Sequence, residues 1–527
     1  MPSSRSVLAS LTLGLLLAVS GCAGTKGEDS KSPRGKSKED LAEAKEEAKK
    51  EAQLNQLIVQ ANESLSVGRY VTARGIAEEA LAINPDNADA YVILGAAAWR
   101  AGEFNASTEA LRKAIELDPK NFGGAIALAR NLRSASLYEE SLTVLAPIVA
   151  AESEGFSAKA CAELADCEDI GGWCDTEAKT CKPPVLVESR AGQLWAYYMT
   201  LDTEQGPLVA EEVFLSGAQA ANLLTDAIRG YADYLRAFAG KGELIAIEGE
   251  TGSSDLAIGV STGLINSFAV VGGEPSRALF STLQIESRID ADLAASLGLE
   301  VLGQTTLLGL GEFELTLIPE VEFNGMKIKN VPALISDLED FSFGLPDKAG
   351  VILGHQVLHR LGSVVADHPA GTLTLTKAAP AAVPAGAVER KLIILDQWSI
   401  HVPATKLSID GSDHGFWAWL GFQSPSAVTL TAKAFLKSGH LPREIETPDD
   451  EYGRKMVYVD QVAFGELTTP GLGALVFLDQ PGEPTLNGVT SFSGFELGGF
   501  VNVALLEKLR VTWVLSQGKI LVELPAG

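Results

Sequence analysis

Residues 277–298 read RALFSTLQIESRIDADLAASLG and combine three structural signals. The apolar run Ala278–Phe280 predicts a buried strand, and the polar residues Ser281–Gln284 predict a loop directly after it. A short helix follows from Asp292 and ends at Gly298, because glycine readily adopts the left-handed conformation at a helix C-terminus. The stretch therefore predicts a strand, a tight loop and a helix.

Two later segments extend this pattern. Val351-Ile-Leu-Gly354 runs into a helical segment over 356–361, and residues 364–375 alternate like a hairpin. This order of elements resembles one lobe of a retropepsin-like aspartic protease, over about residues 241–377. In that family the loop carries Asp-Thr-Gly or Asp-Ser-Gly. The aligned positions here are Ser281, Thr282 and Leu283, so the resemblance implies the fold without the catalytic triplet.

The pattern recurs in the last part of the chain. Residues 321–326 match 462–467 at an offset of 141, and Leu358 matches Leu506 at an offset of 148. We therefore predict a second lobe over 390–527, which an Ala/Pro linker over 378–389 joins to the first. Two lobes in one chain resemble the pepsin arrangement, or a retropepsin dimer fused into one chain.

The loop of the second lobe falls within 419–426, and Gly421, Phe422 and Gln423 stand in place of its catalytic triplet. Aspartic proteases use one aspartate from each lobe, and the two carboxylates share a proton and activate a water. No aspartate occurs between Asp255 and Asp290, or between Asp413 and Asp449. We expect a non-catalytic module; the alternative is an endopeptidase whose catalytic pair has diverged beyond recognition.

Three aromatic residues surround the second loop, and they are Trp417, Trp419 and Phe422. Such residues are typical of a hydrophobic core, and they also suit an apolar floor beneath a cleft. The pattern Gly259-Val-Ser261-Thr-Gly263 resembles a nucleophile elbow, which needs a strand before it and a helix after it. A strand-like run follows instead, so we interpret Ser261 as a turn serine.

Two histidines lie four residues apart on the predicted helix after Gly354. A zinc protease helix has glutamate directly after the first histidine, whereas Gln356 follows His355, and His359 completes the pair without a third ligand nearby. We therefore expect no metal and no cofactor. Asp367 falls at the hairpin, where we interpret it as a turn residue.

The N-terminal half carries a period of 34 residues. Gly68, Gly102 and Ser136 share one position of this period, and Pro85 and Pro119 share another. The pattern resembles three tetratricopeptide repeats over 53–155, which implies helix pairs that bind a protein or peptide partner. A further helical segment is predicted over 183–240.

The first residues are typical of a targeting segment. Arg5 precedes the apolar run Val7–Val19, which is too short to span a bilayer, and Val19-Ser20-Gly21-Cys22 resembles the lipobox of bacterial lipoproteins. The resemblance implies a signal peptide over 1–21 and a lipid anchor on Cys22. In such lipoproteins an aspartate after the cysteine is associated with retention in the inner membrane. Ala23 stands there instead, so the resemblance favours the outer membrane. A charged tether over 22–52 is predicted to become helical from about Lys38.

Four cysteines cluster in a predicted insert over 156–182, and they are Cys161, Cys167, Cys174 and Cys181. Their spacing lacks the C-x-x-C pairs of zinc sites. In an oxidising compartment we expect two disulfides that staple a small helical hairpin, and the spacing leaves three connectivities open.

Length and charge limit the function further. A chain of 527 residues predicts several domains, and a net charge of −26 argues against nucleic-acid binding. We therefore predict a multidomain envelope protein, with a helical repeat array followed by duplicated, mainly β lobes. The predicted function is a scaffold that binds a protein or peptide partner through the repeats, with the cleft between the lobes as a second candidate binding place. A second alternative is a purely structural part of an outer-membrane assembly.

Overall fold

The computed structural model describes residues 38–152, 160–161, 173–175, 179–182, 187–215, 222–256, 264–341, 348–397, 400–412, 416–422, 426–445, 449, 453–477, 494–495 and 497–525. The chain divides into two compact units, one up to residue 127 and one from residue 128. Within the described ranges, every helix is too short or too polar to cross a membrane.

The first helices of the chain follow the 34-residue period. They are α1 (Lys38–Ser66), α2 (Tyr70–Ile83), α3 (Ala88–Arg100), α4 (Phe104–Leu117), α5 (Phe122–Ser134) and α6 (Tyr138–Glu152). The first residues of α2, α4 and α6 are 34 apart, as are those of α3 and α5. The charged segment and the first repeat helix form one continuous helix, α1, which begins at the predicted Lys38.

The turn inside each helix pair has the same backbone conformation. Gly68, Gly102 and Ser136 have φ angles of 76°, 74° and 59°, all in the left-handed region. Glycine enters this region without steric cost, whereas serine is strained there. The three residues therefore recur at one position of the period because the turn requires a left-handed backbone there.

Small residues allow the helices of the first unit to pack closely. A Cβ at Gly95 would lie 2.6 Å from Cγ of Leu111, and the Ser107 hydroxyl donates to the Gly95 carbonyl at 2.7 Å. Asn87 begins α3 by accepting from the Ala90 amide through its side chain. Asn121, one period later, accepts from Gly124 at the start of α5.

The cysteine-rich insert contains strands in its described residues, so the predicted helical hairpin is wrong. Two short strands pair antiparallel, β1 (Trp173–Asp175) and β2 (Thr180–Lys182), with Cys174 opposite Cys181. Tryptophan and threonine beside the cysteines favour extended backbone, which explains the strands. The Cys161–Cys174 disulfide is present, which confirms paired oxidation for these two, and Cys181 is also disulfide-bonded. Cys167 lies outside the described residues.

Three more helices precede the β-rich region. They are α7 (Val187–Thr200), α8 (Gln205–Leu215) and α9 (Asn222–Ala237). Their large buried side chains include Trp195, Tyr198, Tyr231 and Tyr234, which join the same hydrophobic core as the strands that follow. The helical segment therefore packs against the β-rich region.

The first lobe contains strands and two short helices. They are β3 (Ala246–Glu248), β4 (Thr251–Asp255), β5 (Leu264–Val271), β6 (Glu274–Ser281), β7 (Ser287–Asp290), α10 (Ala291–Ser296), β8 (Gly303–Leu307), β9 (Gly311–Phe323), β10 (Met326–Ser336), β11 (Ala349–Leu353), α11 (His355–Arg360), β12 (Ser363–Asp367) and β13 (Thr372–Thr376). Eight strands form one sheet in the order β3-β10-β7-β11-β6-β5-β9-β8.

The second lobe repeats the later part of this succession, in which a strand and a short helix are twice followed by a hairpin. Its elements are β14 (Val388–Gln397), β15 (Ile400–Ile409), β16 (Phe416–Phe422), β17 (Val428–Thr431), α12 (Ala432–Lys437), β18 (Arg454–Phe464), β19 (Leu467–Phe477), β20 (Gly499–Asn502), α13 (Val503–Leu506), β21 (Arg510–Val514) and β22 (Lys519–Glu523). Its sheet continues into the first lobe, in the order β16-β20-β17-β19-β18-β15-β14-β22-β21-β12-β13-β4.

The strand register confirms that the lobes are duplicates. Ser287 pairs in parallel with Ala333 in the first lobe, and Val428 pairs in parallel with Ala474 in the second. Both positions differ by 141 residues, the offset found in the sequence. The predicted fold class, a helical array followed by duplicated and mainly β lobes, is therefore confirmed.

Candidate functional site

The loop after β6 is closed by its own side chain. The Ser281 hydroxyl accepts hydrogen bonds from the amides of Leu283 at 3.2 Å and Gln284 at 3.1 Å. Ser281 has no exposed surface and Thr282 is 4% exposed. The residue at the aligned aspartate position therefore holds the turn together and does not reach solvent.

Backbone hydrogen bonds fix the rest of this loop from two directions. The Leu283 carbonyl accepts from the His401 amide on β15 at 3.0 Å, which links the loop to the second lobe. The amides of His355 and Gln356 donate to the carbonyls of Gln284 and Ile285 at 2.8 and 3.1 Å. The loop is thus held by the second lobe and by the N-terminus of α11.

Glycine is required where β11 meets α11. A Cβ at Gly354 would lie 2.3 Å from the Glu286 carbonyl oxygen and 2.5 Å from that of Ile285. No side chain fits at such distances, so Gly354 allows α11 to approach the loop.

Two helices of the preceding segment cover the far side of the loop. The Tyr198 hydroxyl on α7 donates to the carboxylate of Glu286. The Tyr234 hydroxyl on α9 donates to Gln356 Oε1 at 3.0 Å, and Gln356 Nε2 donates to the Tyr198 carbonyl at 2.8 Å. All four side chains are buried, so this network connects the helical segment to the first lobe away from water.

Burial controls the ionisation of this network. Desolvation raises the pKa of the Glu286 carboxyl, although the Tyr198 hydrogen bond and the charge of Arg288 oppose that shift. Burial, followed by the charge of Glu286, raises the pKa of both Tyr198 and Tyr234 well above 10. Both tyrosines are therefore neutral donors at physiological pH.

An aromatic layer surrounds the network. The ring centroids of Tyr198 and Tyr231 are 4.3 Å apart, and Trp195 lies 5.2 Å from Tyr231 in an edge-to-face arrangement. Trp195 also contacts the His401 ring edge-to-face at 5.8 Å. Such pairs contribute beyond their buried area, so the helices are held firmly on this surface.

Three histidines lie beside this layer. The His355 ring is 4.7 Å from that of His401 and 6.2 Å from that of His359, and His355 Nε2 is 3.2 Å from the Tyr138 hydroxyl. Desolvation lowers the pKa of His359 to about 4 and that of His401 to about 3, and it lowers that of His355 well below 6.5. All three are neutral at physiological pH.

The metal pattern that the sequence analysis weighed is not assembled in the described residues. No three His, Cys, Asp or Glu side chains there are arranged to hold a metal ion. His355 and His359 both lie on α11. His355 contacts the hydroxyl of Tyr138, and His359 contacts the ring of the same tyrosine. Asp367 accepts from the Ala370 amide at 3.1 Å and so closes the hairpin turn, as its sequence position indicates.

The equivalent loop of the second lobe begins at the end of β16. Phe422 ends this strand and pairs in parallel with Asn502 of β20, with an irregular register at Gly421. Gln423 lies outside the described residues, as do Ser261 and Cys22, and the side chains of Trp417, Trp419 and Phe422 are not described.

Asn502 takes the place that Gly354 has in the first lobe. It is 148 residues later, directly before α13, and fully buried. Its Nδ2 donates to the hydroxyls of Ser426 at 2.9 Å and Thr429 at 3.0 Å. The two lobes therefore build this junction differently, one on backbone proximity and one on a buried polar network.

Sequence reasoning did not identify several residues of this site, which are Tyr198, Tyr234, Glu286, His401 and Asn502. A buried tyrosine on an amphipathic helix gives the same sequence signal as any core aromatic. Glu286 gave no distinguishing signal either, since it stands beside the polar Ser287 and the charged Arg288.

Comparison with known proteins supports the helical part directly. A sequence model of the tetratricopeptide repeat family matches residues 64–121. A solved structure of pilF from Pseudomonas aeruginosa is 16% identical, covers 35% of this chain and 68% of that chain, and has a TM-score of 0.26. A thermophilic TPR protein of Thermus thermophilus is 16% identical, covers 36% of this chain and 83% of its own, and has a TM-score of 0.23.

One solved structure is similar to the β-rich part. It is a retropepsin-like aspartic protease from Rickettsia conorii, 16% identical, which covers 26% of this chain and 98% of that chain with a TM-score of 0.19. No curated protein matches this chain. The chain therefore contains tetratricopeptide repeats.

Proposed function

We propose that this protein is a cell-envelope scaffold that binds a partner protein through its tetratricopeptide repeats and carries a non-catalytic, two-lobed aspartic-protease-like module. It is anchored in the outer membrane by a lipid on Cys22. The repeats at 64–121 support the binding role, because arrays of this kind generally mediate protein–protein interactions.

The observation that carries the non-catalytic role is the state of Ser281. Its hydroxyl is fully buried and is engaged by the amides of Leu283 and Gln284. Paired-carboxylate chemistry needs an ionisable group that can share a proton with its counterpart and bind a water. A buried serine hydroxyl that closes its own loop supplies neither.

Glu286 is the carboxyl nearest in sequence to this loop, and its contacts support the same role. It is 1% exposed and accepts from Tyr198, while helices α7 and α9 cover its surroundings. A covered surface favours a structural role for the first lobe over an open peptide groove. We therefore assign partner binding to the repeats.

The binding role can be tested by photocrosslinking in cells. A photoreactive amino acid is placed at Gln56 on α1 or at Arg100 on α3. Both residues are exposed, and each lies on the first helix of its pair. The control position is Tyr458 on β18, which is 65% exposed. We expect a discrete protein adduct from the helix positions and none from Tyr458. Adducts from Tyr458 alone would contradict the proposal, because they would show that the partner binds the lobes and not the repeats.

The anchor can be tested separately. The Cys22→Ala variant is expected to lose metabolic labelling with fatty acid and to leave the membrane fraction, because lipidation of that thiol supplies the anchor. A Cys22→Ala variant that is labelled as strongly as the unmodified sequence would rule out this anchor.

A further inference from the structure

We propose that His355, His359 and His401 form an acid-operated latch that holds helices α6, α7 and α9 on the two lobes. The three residues are named the histidine latch below. Acidification would release the helices and expose the Ser281–Glu286 loop. This inference goes beyond the scaffold role and does not depend on the identity of a partner.

The latch connects four parts of the second unit, which are the two lobes and the helices α6 and α7. His355 and His359 belong to α11 of the first lobe, and His401 belongs to β15 of the second lobe. Tyr138 of α6 contacts His355 through its hydroxyl and His359 through its ring, at a centroid distance of 4.9 Å. Trp195 of α7 contacts His401. Any change of charge on the latch therefore acts on both the helices and the lobes.

Within the part of the chain that the structure describes, four ring nitrogens of the latch have no hydrogen-bond partner. They are both nitrogens of His401, which is 1% exposed, and Nδ1 of His355 and of His359. An imidazole held this way is tolerated only while neutral, because an imidazolium must donate from both nitrogens. Protonation would create charged donors without acceptors.

The charges around the latch favour release once protons bind. The rings of His355 and His401 are 4.7 Å apart, so two imidazolium ions there would repel each other, and Arg360 beside His359 adds to this repulsion. From the helices, Tyr138 faces the latch with its hydroxyl at His355 and its ring at His359. The turn Leu515–Gln517, which also contacts α11, carries no ionisable side chain.

An acidic side chain, Glu286, belongs to the buried network beside the latch. It is bonded to Tyr198 and lies near Arg288. Because the pKa of the Glu286 carboxyl is raised, this group loses negative charge as the pH falls toward the range in which the histidines gain protons.

The pH range of the transition follows from proton linkage. Histidines exposed by release titrate near pH 6.5, whereas in the latch His359 titrates at about 4 and His401 at about 3. Between these values the released state binds protons that the closed state does not, so release becomes more favourable as pH falls. Three histidines correspond to an uptake of about three protons.

Hydrogen–deuterium exchange on the full chain tests the proposal. Peptides from α7 and α9 are followed from pH 7 to pH 4, with exchange times corrected for the intrinsic pH dependence. We expect these peptides to lose protection at a higher pH than peptides from β6, β9 and β10. His401→Phe, which keeps an aromatic ring beside Trp195 and cannot bind a proton, should lower the midpoint by about half a pH unit and the uptake to about two protons.

Two further variants keep the test decisive. His359→Phe should produce the same lower uptake if His401→Phe fails to fold. His440→Gln is the control, since His440 lies between Asp410 and Glu444 at 2.7 and 3.0 Å, away from the latch. Unchanged midpoints in both latch variants, or simultaneous loss of protection in helices and strands, would overturn the proposal.

Discussion

Tyr198 of the helical segment donates a hydrogen bond to Glu286, five residues beyond the Ser281 position in the first lobe. Both side chains are buried, and the carbonyl of the same tyrosine accepts from Gln356 Nε2 at 2.8 Å. One residue therefore contacts the loop and the helix that follows β11, so the covering of the loop depends on it.

Tyr198→Phe is expected to lower the free energy of unfolding by about 2 kcal/mol, because it leaves the buried Glu286 carboxyl without its hydroxyl donor. The matched control is Tyr197→Phe, whose hydroxyl has no hydrogen-bond partner among the described residues. The control should change stability by less than about 0.5 kcal/mol. Urea unfolding of both variants measures the difference, and equal losses would refute the role of the Tyr198 hydroxyl.

A second prediction concerns the start of α10. Asp290 accepts from the amides of Asp292 and Leu293 and, through Oδ2, from the Leu338 amide at 3.3 Å; it also pairs with Lys348 at 2.9 Å. Asp290→Ala should lower the free energy of unfolding by about 2 kcal/mol, since it removes a helix cap and leaves a buried amide unpaired.

Asp292→Ala provides the control for this prediction. The Asp292 side chain is 87% exposed and pairs only with Lys348 among the described residues, so its loss should cost less than about 0.5 kcal/mol. Thermal unfolding of the two variants under one buffer compares them. A larger loss for Asp292→Ala would mean that the ion pair, and not the cap, stabilises this helix.

The turns of the repeats give a third prediction, with opposite signs at two equivalent positions. Ser136 has φ 59°, and its buried hydroxyl has no hydrogen-bond partner among the described residues, so Ser136→Gly should raise the free energy of unfolding by about 1 kcal/mol. Gly68→Ser should lower it by a similar amount, because the same conformation then carries a side chain. Chemical denaturation of each variant checks the sign, and a destabilising Ser136→Gly would contradict the conformational account.

The repeat period was readable from the sequence because its cause is local. Gly68, Gly102 and Ser136 recur where the backbone must be left-handed, so the period appears directly in residue type. The start of α1 at Lys38 was also predicted, since the charged, alanine-rich segment has high helix propensity. Local rules of this kind need no knowledge of the tertiary structure.

The duplication was readable only in part. Asp290 and Thr431 are 141 residues apart, and each accepts a backbone hydrogen bond at the start of the helix that follows, yet the two residue types differ. A helix cap requires only a side-chain oxygen that accepts a hydrogen bond. Different residue types can therefore cap the equivalent helices of the two lobes, and the sequences no longer match there. The strands of the cysteine-rich insert were missed for a related reason, because cysteine spacing alone does not specify backbone conformation.

The covering of the Ser281 loop was not readable at all. Tyr198 and Tyr234 lie 88 and 122 residues before their partners Glu286 and Gln356, and such long-range pairs leave no local pattern. The sequence did indicate that Ser281 stands in the aligned aspartate position. It did not indicate that the hydroxyl closes its own loop.

We propose that the two-lobed module has a structural role and does not cleave peptides. The most direct test is incubation of the purified full chain with casein from pH 3 to pH 7.5, with and without pepstatin, alongside the Ser281→Asp variant. The account predicts no cleavage by either protein, because a single aspartate in the first lobe has no counterpart in the second. Pepstatin-sensitive cleavage by the unmodified chain would contradict it, since that result requires a functional pair of aspartates.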